Sequence, residues 1–135
     1  MEELKFDKEK ILKSWIDLSD EDYDTMVVMY DNGRYNWSLF LGHLLIEKLL
    51  KALYVKNYSD HPPYTHNLIK LTELNKLKLS NEDKVFFVTV NTYNLNARYD
   101  DYKRSFNLLC TPEYTFQWIN EIKAKRLWIK ELLEQ

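Results

Sequence analysis

Only two glycines and three prolines interrupt the 135 residues of this chain. Breakers that rare leave long stretches with nothing to stop a helix, and they confine the turns to a few places. Between those places apolar residues recur at spacings of three and four. That is the period of an amphipathic helix. The expected fold is all-α: an up-and-down bundle of four to five helices in a single domain spanning 1–135.

The first helix is expected over 7–31, with Ile11, Trp15, Leu18, Asp22, Thr25 and Met29 on one stripe. Ser19 with Asp22 offers a restart or kink, and Asp31-Asn32-Gly33 ends the helix, with Gly33 taking the left-handed conformation. A second helix follows from Asn36 as N-cap, with Phe40, Leu41, Leu44, Leu45, Leu49 and Leu53 forming a wide apolar face. His43, Glu47 and Lys51, four apart, share one edge of it. Ser59-Asp60-His61-Pro62-Pro63 must be a loop. A short helix is expected over 66–76, with Leu68, Leu71 and Leu74 or Leu77 inward. Ser80-Asn-Glu-Asp83 is a capping-box start for a fourth helix. Its body, VFFVTVNTY, has strand propensity, but the stripe Phe86, Val90, Tyr93, Ala97 predicts helix, ending near Arg98. A loop of about a dozen residues should then lead to Thr111-Pro112-Glu113. That triplet is a threonine cap, a first-turn proline and an acid suited to a last helix. Trp118, Ile122, Ile129 and Leu132 mark its inner face.

The formal net charge is −2 and the pI near 5.9, so no global basic excess points to nucleic acid, and any basic patch must be local. Cys110 is the sole cysteine. It excludes an intrachain disulfide and agrees with a reducing, cytoplasmic compartment. The first ten residues, MEELKFDKEK, lack the apolar core of a secretory signal. The most apolar region, 37–54, is interrupted by His43, Glu47, Lys48 and Lys51, which speaks against a membrane span.

Few chemical motifs are present. His43, His61 and His66 lie in no metal-binding spacing, and the isolated glycines form no phosphate-cradling loop, so no metal or cofactor is expected. Cys110 has no activating neighbour in sequence and reads as an inert thiol. Glu47 allows two readings. It pairs with Lys51 along the helix surface, or it faces the bundle and meets a cation such as Arg98. Residues 98–104, RYDDYKR, gather Arg98, Lys103 and Arg104 with Tyr99 and Tyr102. Cations beside aromatic planes suit phosphate and base contacts, while Asp100 and Asp101 partly neutralise them. Arg34 and Tyr35 form a smaller group of the same kind.

Taken in order, several pieces resemble the HEPN family of small helical domains. They are Trp15 and Asp22; Gly33-Arg34-Tyr35; Glu47-Lys48-Leu-Leu-Lys51-Ala52-Leu; Pro62-Pro63-Tyr-Thr65-His66-Asn-Leu68; and Ala97-Arg98-Tyr99-Asp100. The resemblance implies a helical bundle, usually dimeric, that works on or near nucleotides and RNA. Many members are metal-independent endoribonucleases, often toxins of toxin-antitoxin pairs. Others pair with a small nucleotidyltransferase. The ribonuclease branch carries a histidine four to six residues after its arginine. Here Arg98 is followed by YDDYKRSF, and no histidine occurs after His66. Cleavage through a 2′-hydroxyl needs a proton acceptor near neutral pH, which arginine cannot be.

The resulting expectation is a non-catalytic or weakly catalytic HEPN-type domain. Arg98, Tyr99, Asp100, Lys103, Arg104, Glu47 and Lys51 would bind a nucleotide or RNA phosphate or a partner. That partner would be a nucleotidyltransferase-like protein or a second copy forming a homodimer. The alternatives are an endoribonuclease toxin using Arg98 with His66, and a structural helical adaptor.

Overall fold

The computed structural model describes residues 5–135, and among these there are six helices and no strand. They are α1 (Lys8–Asp31), α2 (Tyr35–Tyr58), α3 (Leu68–Leu74), α4 (Asn81–Arg98), α5 (Asp100–Leu109) and α6 (Pro112–Glu134). The all-α class is as expected; the count is six rather than four to five. The extra helix, α5, lies where a loop was predicted. No glycine or proline stands between residues 64 and 111 to prevent it. Its buried Phe106 ring packs on Tyr93, 5.4 Å between centroids. Tyr99, extended at φ −103° and ψ 130°, is the one residue between α4 and α5.

Side-chain caps fix most helix starts. Asp7 accepts from the Lys10 amide, Asn67 from those of Ile69 and Lys70, and Thr111 from that of Tyr114 ahead of Pro112. Ser80 and Asp83 form the expected capping box. Gly33, at φ +73°, makes the left-handed turn after α1. α2 begins two residues earlier than expected, with Arg34 rather than Asn36 at the cap position.

α2 is the centre of the bundle and contacts all five other helices. It is therefore buried on most of its circumference, not on one face: Leu39, Gly42, His43, Leu45, Ile46, Leu49, Leu50, Ala52 and Val55 are all buried. Each large apolar side chain buried there stabilises by about 1.5–3 kcal/mol. α1 runs unbroken through Ser19, so the predicted restart does not occur. Its inner line is Ser19 and Met26, while Leu18 and Thr25 are exposed. The Ser19 hydroxyl explains the shift, because it donates to the Leu45 carbonyl at 2.9 Å and draws α1 against α2. Ser38 does the same from α2 to the Met26 carbonyl at 2.8 Å. At Gly42 a Cβ would lie 2.5 Å from Ile122 Cδ1, so α6 crosses α2 where a side chain is missing. The VFFVTVNTY stretch is helical, with Phe86, Val90, Tyr93 and Ala97 buried.

Ion pairs fasten the outside. Asp20 of α1 accepts from Arg126 and Lys130 of α6, at 3.1 and 2.7 Å. Partial burial pushes the Asp20 carboxyl up, but these two bonds outweigh it and hold the group below the usual carboxylate range. Asp83 of α4 pairs with Lys125 of α6. No helix among the described residues is long and apolar enough to cross a membrane.

Candidate functional site

The predicted site residues fall into two places. Glu47 and Lys51 lie on one edge of α2 and point inward, with side chains 5% and 7% exposed. Lys51 Nζ donates to Glu47 Oε2 at 3.0 Å, and its ammonium stands 5.4 Å from the centre of the Trp15 ring. The other carboxylate oxygen, Oε1, accepts from His66 Nδ1 at 2.9 Å. Both sequence readings of Glu47 were partly right: the pair with Lys51 is intrahelical and yet buried. The cation from elsewhere is not Arg98, however; the second partner is His66, from the loop before α3.

His43, one turn before Glu47, is fully buried. Its Nε2 lies 3.0 Å from the His66 carbonyl oxygen, which can only accept, so Nε2 carries the proton. Nδ1 is then a bare acceptor, 3.8 Å from Glu47 Oε1 and without a hydrogen-bond partner among the described residues. Burial lowers the His43 pKa to about 4, against a smaller upward pull from Glu47, so the ring is neutral near neutral pH. The neighbouring Lys48 leaves the cluster and pairs with Asp22 of α1 at 2.5 Å. Trp15, Lys51, Glu47 and His66 thus form one connected set across α1, α2 and the loop after it, with the Lys48–Asp22 pair apart from it.

The second place is the α4–α5 corner. Arg98 ends α4, is exposed, and donates from Nη1 to Asn94 Oδ1 at 3.1 Å. Its guanidinium lies 5.6 Å from the centre of the Tyr99 ring. Lys103 stands 5.8 Å over Trp37, at the start of α2. Tyr99, Tyr102 and Arg104 are exposed. The Asp100 side chain lies outside the described residues. About 15 Å of helix rise separates Trp37 from Glu47 along α2, so the corner and the cluster are separate sites.

Sequence reasoning passed over two participants. Asn94 was legible as the i−4 neighbour of Arg98. Trp37 was not, because Lys103 reaches it from another helix; His43 was placed on the Glu47 edge, but its bond to the His66 carbonyl, from a loop, was not legible. Cys110 is buried, and burial pushes its thiol up to about 12, which makes it a poor nucleophile. No group of three or more His, Cys, Asp or Glu side chains among the described residues is arranged to hold a metal ion. A groove of about 490 Å³ between α3 and α4, lined by Ile69, Leu77, Leu79, Phe87 and Val88, touches neither place.

A family model described as HEPN domain matches residues 12–132. No curated protein and no solved structure matches the chain.

Proposed function

The chain belongs to the HEPN family, and from that premise we propose that it is a binding domain whose α4–α5 corner holds a phosphate-bearing ligand, a nucleotide or RNA, without cutting it. The observation that carries this reading is the pairing of cations with exposed flat rings: Arg98 on Tyr99 and Lys103 on Trp37. A guanidinium offers two parallel donors to a phosphate, and the rings offer stacking surfaces to bases. Asn94 restrains the guanidinium from behind, so less freedom is lost when a ligand arrives. The missing base supports the non-catalytic half. The chain has no histidine after Arg98, and His66 belongs to the separate Glu47 cluster.

A protein partner is the second reading, favoured by a specific feature. Val85, Val88 and Leu95 lie on one side of α4 and are 60%, 54% and 44% exposed, and Tyr99 and Tyr102 follow at 50% and 47%. An apolar row leading into a charged corner fits a second copy of the chain or a nucleotidyltransferase-like partner.

Fluorescence anisotropy with a labelled single-stranded RNA tests the first reading. Binding should weaken as salt rises and weaken again in Arg98→Lys. Rapid RNA cleavage in excess chelator, abolished by Arg98→Ala or His66→Ala, would replace it with the ribonuclease alternative.

A further inference from the structure

Lys51 alone, at 3.0 Å on the same helix, meets the need of the Glu47 carboxylate for a counter-charge. The bundle goes further. The second carboxylate oxygen is directed to His66, whose side chain is 47% exposed. His43 grips the same residue by its backbone carbonyl. Two residues one turn apart on α2 therefore hold one half-exposed imidazole by ring and main chain. The arrangement leaves the fully buried Nδ1 of His43 without a donor and aimed toward Glu47 Oε1. A buried acceptor without a partner is a cost that stable folds rarely retain.

The outcome for His66 is specific. A carboxylate can only accept, so Nδ1 carries the proton in the neutral ring and Nε2 is the bare nitrogen. A carboxylate behind an imidazole fixes this tautomer and stabilises the imidazolium that forms when Nε2 takes up a proton. Tyr64, 98% exposed, lies beside His66 at 6.2 Å between ring centres and offers a flat surface.

We propose that His66, backed by Glu47, is a general base that activates water against small carboxylic esters whose planar ring rests on Tyr64. Nε2 takes a proton from water as the water oxygen bonds to the acyl carbon. The bond from that carbon to the aryl oxygen then breaks, and the aryl oxide leaves with the electron pair. The imidazolium, held through Nδ1–H on Glu47, returns its proton to solvent. No co-reactant beyond water is required. An aryl ester suits this place because the aryl oxide departs without taking up a proton, so no second acid is needed. The one ammonium of the cluster, Lys51, is engaged by Glu47 Oε2 and Trp15. Glu47 is a positioning residue here. The site is independent of the ligand assigned to the α4–α5 corner, and either assignment stands if the other fails.

The test is p-nitrophenyl acetate hydrolysis near neutral pH, followed by nitrophenolate absorbance, with ¹H–¹⁵N spectra of the imidazole rings. The wild-type chain should exceed an equal concentration of free imidazole by about a hundredfold, the low side of general-base catalysis. Heavy water should slow it, as proton transfer requires. His66→Gln should return the rate to that of free imidazole, while His61→Ala keeps it. Glu47→Gln should lower the rate and shift His66 toward the Nε2–H tautomer. A full rate in His66→Gln would overturn the proposal. So would wild-type spectra showing His66 protonated at Nε2 and bare at Nδ1, a result that needs no variant to fold.

Discussion

The Glu47 cluster and the Arg98 corner use the same kinds of side chain to opposite ends. In the cluster a carboxylate, an ammonium and two imidazoles lie mostly inside the bundle, each held by a neighbour from another element or another turn. In the corner Arg98 stands outside, and the rings paired with Arg98 and Lys103 are themselves exposed. Buried charges are expensive unless paired, so the cluster is bound to the stability of the fold. Exposed charges contribute little to stability, so the fold depends little on Arg98. One set of residues is tied to the protein's interior, and the other lies on its surface.

Removing the central carboxylate gives the largest contrast. Glu47→Ala leaves the Lys51 ammonium buried without its counter-charge and should lower unfolding free energy by roughly 3–5 kcal/mol. Arg98→Ala should change it by less than about 0.5 kcal/mol. Urea titrations of both variants decide the matter, and equal losses would erase the distinction between the two places.

Acid should reveal the cluster next. His43 titrates near 6.5 when unfolded and is lowered to about 4 in the fold. The folded state therefore refuses a proton that the unfolded chain accepts. The stabilisation linked to His43 is complete above pH 6.5 and is lost as pH falls from 6.5 to about 4. It amounts to roughly 3 kcal/mol at 1.36 kcal/mol per pH unit. Stability measured across that window should show this slope, and His43→Gln should remove most of it.

At the corner the effect should appear in binding alone. Arg98→Lys keeps the charge but loses the two-pronged geometry, and should weaken RNA or nucleotide binding by about 1–3 kcal/mol with the helical circular dichroism unchanged. The smallest effect belongs to Cys110. With its thiol buried and pushed up to about 12, it should resist iodoacetamide near pH 8 until the chain unfolds, and Cys110→Ser should leave ligand binding intact. Ready alkylation of the folded chain would show a more open α5–α6 junction.

Much of this was legible in the sequence, for reasons that can be named. Caps are local, so Ser80 with Asp83, Thr111 with Pro112, and Gly33 were read correctly. The Phe86–Ala97 stripe outweighed strand propensity because a helix face repeats over about three turns, whereas a strand would have needed a partner. The errors came where non-local contacts decide. Phe106 turns a charged stretch into α5 by docking on Tyr93. Ser19 replaces Leu18 on the inner line of α1 because its hydroxyl finds the Leu45 carbonyl. The 43–47–51 edge was visible as a spacing, but its burial was not, since that depends on His66 arriving from a loop nineteen residues past Glu47.

The central position of α2 has a consequence for the order of assembly. Its contacts with α1 join neighbours in the chain and close a short loop at Gly33, whereas those with α6 join segments far apart in sequence. On a ribosome the α1–α2 hairpin can form early, but its far side stays open until the last helix has emerged. Until then Gly42, the gap that Ile122 fills, is a slot in a half-built core. Amide protons of α2 should accordingly be the slowest in the molecule to exchange, released only when the whole chain unfolds.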